Sequence, residues 1–372
     1  MKKKPYAIYF PQFYPSKVND EAWGKHFTDW LLVGQANFQK LWDRRAPARG
    51  FYDGSDVRIH QDQVSQAQAS GLAGFGVYHY WFYTQHELSA FEKSILSNQV
   101  LNEADSWFLI WANESWSKRW VGNADVLIDL SRNPSLEMIE KHCKHLARCF
   151  QTPGYVKWRE RPLFVFYNLG YFDHPEQVVI NYRQCLASLG CDAAMIQIIK
   201  NAADIQYSRF MDGSYLFEPR MFFNSVGKAR GSMSSSILAV IRRVFGTKFT
   251  ERLLVRADKF LSTGKKYAAD DFATYFWSLS RQASVKQLSG STQNILCPAW
   301  NNAPRYGQNF TSLEPISPHE FLKQLEASNQ ASDLPLLINA WNEWSEGAAI
   351  EPCAYYGNRY LDVIKQYGET GV

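Results

Sequence analysis

The stretch Leu334-Pro335-Leu336-Leu337-Ile338-Asn339-Ala340, continuing as Trp341-Asn342-Glu343-Trp344-Ser345-Glu346-Gly347, decides the fold. Its first half is an apolar run without alternation, the pattern of a strand buried on both faces. Its second half gathers aromatic rings, amides and carboxylates directly after that strand. The same two-part pattern recurs upstream. Tyr6–Phe10 meets Pro11-Gln12-Phe13-Tyr14, Gly74–Tyr78 meets His79-Tyr80-Trp81, and Trp107–Ala112 meets Asn113-Glu114-Ser115-Trp116. Leu163–Tyr167 meets Asn168, Met195–Ile199 meets Lys200-Asn201, Ser214–Phe217 meets Glu218-Pro219, and Ile295–Pro298 meets Trp300-Asn301-Asn302. Helix-like segments lie between most runs. Asp56–Ser70 stops at Gly71, a C-cap residue. Pro134–Phe150 carries Leu136, Ile139, Cys143, Leu146 and Phe150 at helical spacing, and Pro175–Leu189 and Pro318–Ala327 complete the set.

Eight strand–helix repeats predict an α/β fold, a (β/α)8 TIM barrel spanning 1–372 as one catalytic domain. The residues beyond a minimal barrel fall in 19–51 and in a basic helical insertion, 220–266, between strands six and seven. An open doubly wound sheet would need a glycine-rich turn after strand one, where Pro-Gln-Phe-Tyr-Pro stands instead. Gly71–Gly76 has the wrong spacing for a dinucleotide site and precedes a strand.

Composition narrows the function. The chain has 372 residues, a net charge of +4, 46% hydrophobic residues and 13 Trp. That charge is too small to imply nucleic acid, and the aromatic surplus suits stacking on sugars. The six Cys form no C-x-x-C pair, so zinc-ribbon and thioredoxin readings fail. His142, Cys143, His145 and Cys149 do not make a zinc site, because Cys143 and Cys149 point about 120° apart on a helix. No metal and no cofactor is expected. The lysines at the start precede an apolar run too short for a signal peptide, and no run of about 18 apolar residues could span a membrane. The expectation is a cytoplasmic enzyme with free thiols.

In a barrel the active site forms at the C-terminal ends of the strands. The residues there are Gln12, Tyr14, His79, Tyr80, Trp81, Trp111, Asn113, Glu114, Trp116, Arg119, Trp300, Asn302, Arg305, Trp341 and Asn342, all read as substrate-binding. Rings with interleaved amides, carboxylates and arginines fit a polyhydroxylated ligand. Trp111, Trp116, Trp300 and Trp341 are expected to line one pocket. Arg119 and Arg305 would hold a donor phosphate or carboxylate, or pair with a protein carboxylate. Glu114 is a third site carboxylate or a partner of Lys118 or Arg119. Glu343 and Glu346, three residues apart after the last strand, are the catalytic pair: glycosyl transfer or hydrolysis needs one acid and one base or nucleophile, and a shared cavity drives their pKa values apart.

Tyr9-Phe10-Pro11-Gln12-Phe13-Tyr14-Pro15, Asn19-Asp20, Trp23-Gly24, Phe27-Thr28-Asp29-Trp30, Gly50-Phe51-Tyr52-Asp53, Tyr78-His79-Tyr80-Trp81-Phe82, Trp111-Ala112-Asn113-Glu114-Ser115-Trp116, Pro304-Arg305 and Asn339–Gly347 occur in this order. Together they resemble the WbsX-type glycosyltransferases of bacterial surface-polysaccharide synthesis, from about residue 5 to 362. More distantly, that family is similar to the endo-α-mannosidases of glycoside hydrolase family ninety-nine, which are (β/α)8 barrels. The resemblance implies that Glu343 deprotonates a sugar 2-hydroxyl, giving an epoxide-like intermediate, and that Glu346 acts as general acid and then base. Two motifs depart from the family. Its Trp-Asp-Asn is Trp300-Asn301-Asn302 here, and its Phe-Thr-Glu-Trp is Phe27-Thr28-Asp29-Trp30.

The leading expectation is a retaining glycosyltransferase of O-antigen or capsule synthesis. It would use a sugar donor such as a nucleotide sugar and a glycan or lipid-linked glycan acceptor, with no nucleic acid partner. An endo-acting hydrolase using the same carboxylates, and a non-catalytic carbohydrate-binding barrel, are the alternatives. Residues 228–266 hold ten basic residues against Glu251 and Asp258, with Ile237, Ile241, Val244, Phe245 and Phe249 at helical spacing. This segment either packs on the barrel as a hairpin or docks peripherally on the anionic inner face of the plasma membrane.

Overall fold

A computed structural model describes residues 2–38, 45–83, 88–117, 126–226, 264–286 and 288–369. Eight parallel strands close into a barrel: β1 Tyr6–Tyr9, β2 Gly74–His79, β3 Trp107–Trp111, β4 Arg161–Phe166, β5 Ala194–Ile199, β6 Gly213–Phe217, β7 Ser291–Leu296 and β8 Leu337–Ile338. Each pairs with its sequence neighbour, and β8 closes on β1 through Tyr6↔Leu337 and Ala7↔Ile338. All eight runs read from the sequence are strands. Their ends shift by a few residues: β7 begins four residues before the expected Ile295, and the expected Leu334–Ala340 narrows to a two-residue ladder, with Pro335, which has no N–H to donate, outside its first end.

The interior is filled by side chains, as a small barrel requires. On β2, Gly76 leaves room for Phe108 and Ile110 of β3: a methyl group there would lie 2.9 Å from both side chains. The alternate positions of β2, Phe75 and His79, face the helices. Outside lie α1 Val57–Ala69, α2 Ala90–Leu96, α3 Leu136–Phe150, α4 Pro175–Ser188, α5 Ala269–Trp277, α6 Leu279–Lys286, α7 Pro318–Ala331 and α8 Arg359–Glu369. A 3-10 helix, Ala202–Phe210, connects β5 to β6.

Local chemistry sets the helix ends. Asp56 caps α1 by accepting from the Arg58 N–H, and Gly71 follows α1 at φ +89°. Ser135 and Ser317 cap α3 and α7 in the same way. The apolar stripe of α3 buries Ile139, His142, Cys143, Leu146 and Phe150, whereas Leu136, expected on that face, is exposed in the first turn.

The long β1–α1 connection contains two helices, Lys17–Trp23 and Asp29–Phe38. The second packs against both the Ala303–Tyr306 helix and the Trp344–Glu346 turn. Residues 227–263, most of the basic insertion, and Arg119 lie outside the described residues. Among the described residues no helix is long and apolar enough to cross a membrane.

Candidate active site

Beyond β8 the chain turns into a short hairpin. Asn342–Glu343 pairs antiparallel with Ala348–Ala349, and a 3-10 turn, Trp344–Glu346, joins them. Gly347 closes the turn at φ +63°, a left-handed conformation that costs other residues about 1–2 kcal/mol. A methyl group on Gly347 would also lie 2.7 Å from the Asn301 backbone nitrogen. Gly347→Ala should therefore lower the melting temperature and displace Glu346, so that thermal denaturation and turnover fall together.

Arg305, from the loop after β7, reaches both glutamates. Its Nη1 donates to Glu346 Oε1 at 2.6 Å, while its Nη2 lies 2.9 Å from Asp29 Oδ2 and 3.5 Å from Glu343 Oε2. The short bond to Glu346 is charge-assisted. Glu343 is 6% exposed. Burial pushes its carboxyl up to about 8; Arg305 opposes that shift, the charges of Glu346 and Asp29 reinforce it, and Arg220 opposes it. The free protein thus keeps a proton on the pair at neutral pH.

Around these carboxylates stand Tyr78 and Tyr80 from the end of β2, Tyr167 after β4, and Arg220 after β6; burial raises the hydroxyl pKa of all three tyrosines. Arg220 Nη2 lies 3.9 Å from Glu346 Oε1, and its guanidinium sits 5.5 Å from the Trp300 ring centre. Trp116 meets Tyr80 edge-on at 5.2 Å. Glu114 pairs with Lys200 at 2.8 Å and accepts from Asn168. Burial opposes its ionisation, but Lys200 and Asn168 outweigh it and hold the carboxyl below its ordinary value. Lys200 in turn lies 4.1 Å over the Tyr167 ring.

Of the residues expected at the site, Tyr80, Glu114, Trp116, Trp300, Arg305, Glu343 and Glu346 gather at this mouth. Gln12 is half-buried after β1. Others are placed differently. His79, Trp81, Trp111 and Trp341 face the helix layer, so the four tryptophans do not line one pocket. Trp111 packs against His142 of α3 and Tyr182 of α4, and its indole N–H donates to the Trp81 carbonyl. Trp81 stacks on His142 at 4.7 Å. Trp341 meets Phe75 edge-on, and Phe75 itself packs against Phe91 of α2.

A further group is spent on holding loops together. Asn342 accepts from the Phe10 N–H and donates to the Phe10 carbonyl, joining the ends of β8 and β1. Asn113 does the same with Asn168. Asn302 accepts from the Thr311 N–H, and the Tyr14 hydroxyl accepts from the Ala90 N–H at the start of α2. Among the described residues the cation paired with Glu114 is Lys200; Lys118 and Arg119, the partners expected from the sequence, lie outside them.

His79 belongs to a buried chain. Its Nδ1 lies 2.6 Å from Glu92, its Nε2 lies 3.1 Å from His142, and His142 Nδ1 lies 2.8 Å from the Tyr182 hydroxyl. His79, Glu92 and His145 offer ligand atoms within 4.8 Å of one another, but both His79 nitrogens already have partners. Through Glu92 and His142, His79 ties β2 to α2 and α3 by hydrogen bonds.

Sequence reasoning missed Asp29, Tyr78, Tyr167, Lys200 and Arg220 as site residues. Four of them follow or end a strand and obey the rule that found the others. Asp29 arrives from the long β1–α1 connection, where its only signal is the Phe27-Thr28-Asp29-Trp30 motif.

Comparison with known proteins agrees with this architecture. Residues 5–364 match the family described as "Glycosyltransferase WbsX". Two relatives, both named "Uncharacterized protein WxcX" and from Xanthomonas campestris pv. campestris, strains B100 and ATCC 33913, are 29% and 28% identical over 97% of the chain. The chain spans about half the length of these curated relatives, 49% of each. Among solved structures, a "Glycoside hydrolase-like protein" superposes with a TM-score of 0.57 at 13% identity, covering 98% of this chain and 94% of its own. The GH99 endo-α-mannosidase of Bacteroides thetaiotaomicron, in complex with bis-tris-propane, gives 0.53 at 13% identity, covering 98% and 96%. At that identity the likeness is one of fold. The family match over nearly the whole barrel places the chain in the WbsX glycosyltransferase family of carbohydrate-active enzymes.

Proposed function

We propose that the chain, as one catalytic barrel unit, is a retaining glycosyltransferase of bacterial surface-polysaccharide synthesis, with Glu343 and Glu346 as the reacting pair. The observation that carries this reading is one arginine reaching two carboxylates, 2.6 and 3.5 Å away, at the C-terminal mouth of a closed barrel. Family membership supports transfer to a glycan or lipid-linked acceptor. The donor is a sugar with a good leaving group, such as a nucleotide sugar. Arg305 is committed to protein carboxylates, so Arg220, whose nearest carboxylate oxygen among the described residues is 3.9 Å away, is the better placed cation for a donor oxygen.

In the proposed reaction Glu343 takes the proton of the donor's 2-hydroxyl. The O2 electron pair then forms a bond to C1 as the C1–leaving-group bond breaks, and Glu346 protonates the departing oxygen. In the second step Glu346 takes the acceptor hydroxyl proton and the acceptor oxygen attacks C1 as the C1–O2 bond breaks, its electron pair going to O2, to which Glu343 returns its proton. Two inversions give net retention. These roles need the proton on Glu346, whereas the free protein favours it on Glu343. The proton must therefore change carboxylates as the donor binds.

Both arrangements carry one proton on the pair, so the rate profile reports the pair as a whole. We expect kcat/KM to be bell-shaped and to fall above about pH 8, where the last proton leaves. An alkaline limb unchanged in position in Glu343→Gln would show that another group sets it. Transfer is separated from hydrolysis by running the reaction in heavy-oxygen water. Hydrolysis places the label in a released sugar, whereas transfer leaves the product unlabelled.

A further inference from the structure

We propose that Asp29 is a positioning residue: by holding the second amino group of Arg305 it aims the guanidinium at Glu346 and away from Glu343, and so decides which carboxylate of the pair keeps the proton. This rests on the reading of Glu343 and Glu346 as the reacting pair. Asp29 lies 276 positions from Arg305 in sequence, yet its Oδ2 accepts from Arg305 Nη2 at 2.9 Å and from Ser345 Oγ at 2.5 Å. It is 6% exposed. A charge so buried is tolerated because two donors satisfy one oxygen and because Asp29 opens the Asp29–Phe38 helix, whose N-terminal dipole favours an anion.

The geometry is competitive. Arg305 Nη2 has two carboxylates in reach, Asp29 at 2.9 Å and Glu343 at 3.5 Å, and the nearer one takes the better bond. Nη1 is left to Glu346 at 2.6 Å. Glu343, equally buried, receives only the long contact among the described residues. Asp29 therefore acts on Glu343 twice: it draws the cation away, and it adds a negative charge of its own. Among the described residues the other charged or titratable groups facing Glu343 are Tyr78, Tyr80, Tyr167, Arg220 and Glu346. Of these only Arg220 is a cation, and it sits against Glu346.

The same helix packs on the Arg305 and Glu346 loops, so Asp29 ties three barrel loops to one geometry. Ser345 provides an internal control. Removing its hydroxyl breaks a hydrogen bond of Asp29 but leaves the charge in place.

The test follows the Glu343 carboxyl carbon in glutamate-labelled protein by NMR, in the absence of any sugar, with the resonance assigned by its loss in Glu343→Gln. The wild-type midpoint should fall near 8. In Asp29→Asn it should move down by at least about one pH unit, as expected when a nearby like charge is removed and a cation is released. Ser345→Ala should stay close to wild type. Should Asp29→Asn not fold, Asp29→Ser removes the same charge. A midpoint that stays put or rises in the charge-removing variant, or that moves equally in Ser345→Ala, overturns the proposal. Because the titration needs no substrate, it can fail while the loss of turnover in Glu343→Gln stands, and it can succeed even if the chain proves to be a hydrolase.

Discussion

Glu343→Gln and Glu346→Gln should each lower turnover by at least about a hundredfold while leaving the fold intact, the usual scale for acid–base groups. Each substitution keeps the shape and removes the ability to exchange a proton. The double variant should cost little more than either single one, because both groups serve one reaction. Stability supplies a second readout with a definite sign. The folded-state pKa of Glu343 lies near 8, above the ordinary carboxyl value of 4.5, so the unfolded chain loses this proton first as pH rises. Wild-type stability from this group therefore falls between about pH 4.5 and 8. Glu343→Gln mimics the protonated form and escapes that loss. It should melt close to wild type at acid pH and above it at alkaline pH. Circular dichroism melts and turnover on the same samples check both halves, and wild-type turnover in either folded single variant sinks the assignment.

The second large effect is on Arg305. Its guanidinium meets three carboxylates, whose side chains are 7–14% exposed. Burial opposes its charge, but those carboxylates hold its pKa well above the ordinary value. Removing one partner of a buried pair leaves the others uncompensated, typically at about 3–5 kcal/mol. Arg305→Met should therefore unfold at clearly lower denaturant concentration at pH 8. Without the cation, buried carboxylates are costly while ionised, so the penalty is present at alkaline pH and relieved as they take up protons at acid pH. The variant should come closest to wild type at acid pH. Denaturant titrations at the two pH values check this. A variant as stable as wild type at pH 8 would return Arg305 to the role of a donor-phosphate ligand.

The barrel was legible because strands buried on both faces must be apolar throughout, and eight such runs stand out from the chain. Glu343 and Glu346 were legible as candidates for a related reason: they follow a buried strand directly, among aromatic rings and amides, at the end of the barrel where sites form. What the sequence hid was facing. Side chains alternate across a strand, and at a strand end the alternation decides between the cavity and the helix layer. Tyr78 and Tyr80 point inward while His79 between them points outward, and nothing in their chemistry distinguishes them. Trp111 and Trp341 illustrate the same ambiguity, since an aromatic ring serves a core as well as a sugar site. Asn113 and Asn342 were misread because a side-chain amide that hydrogen-bonds backbone has the same composition as one that binds hydroxyls. Asp29 was hidden by distance, since only tertiary structure brings the β1–α1 connection to Arg305.

The central claim is that this barrel transfers a sugar through Glu343 and Glu346. The most direct measurement incubates the wild-type protein with a panel of nucleotide sugars and lipid-linked glycan acceptors and weighs the products by mass spectrometry. The account predicts an acceptor heavier by one sugar residue with one donor of the panel, formed by wild type and absent with Glu343→Gln and with Glu346→Gln. Release of free sugar alone, or the same transfer product from either variant, would contradict it.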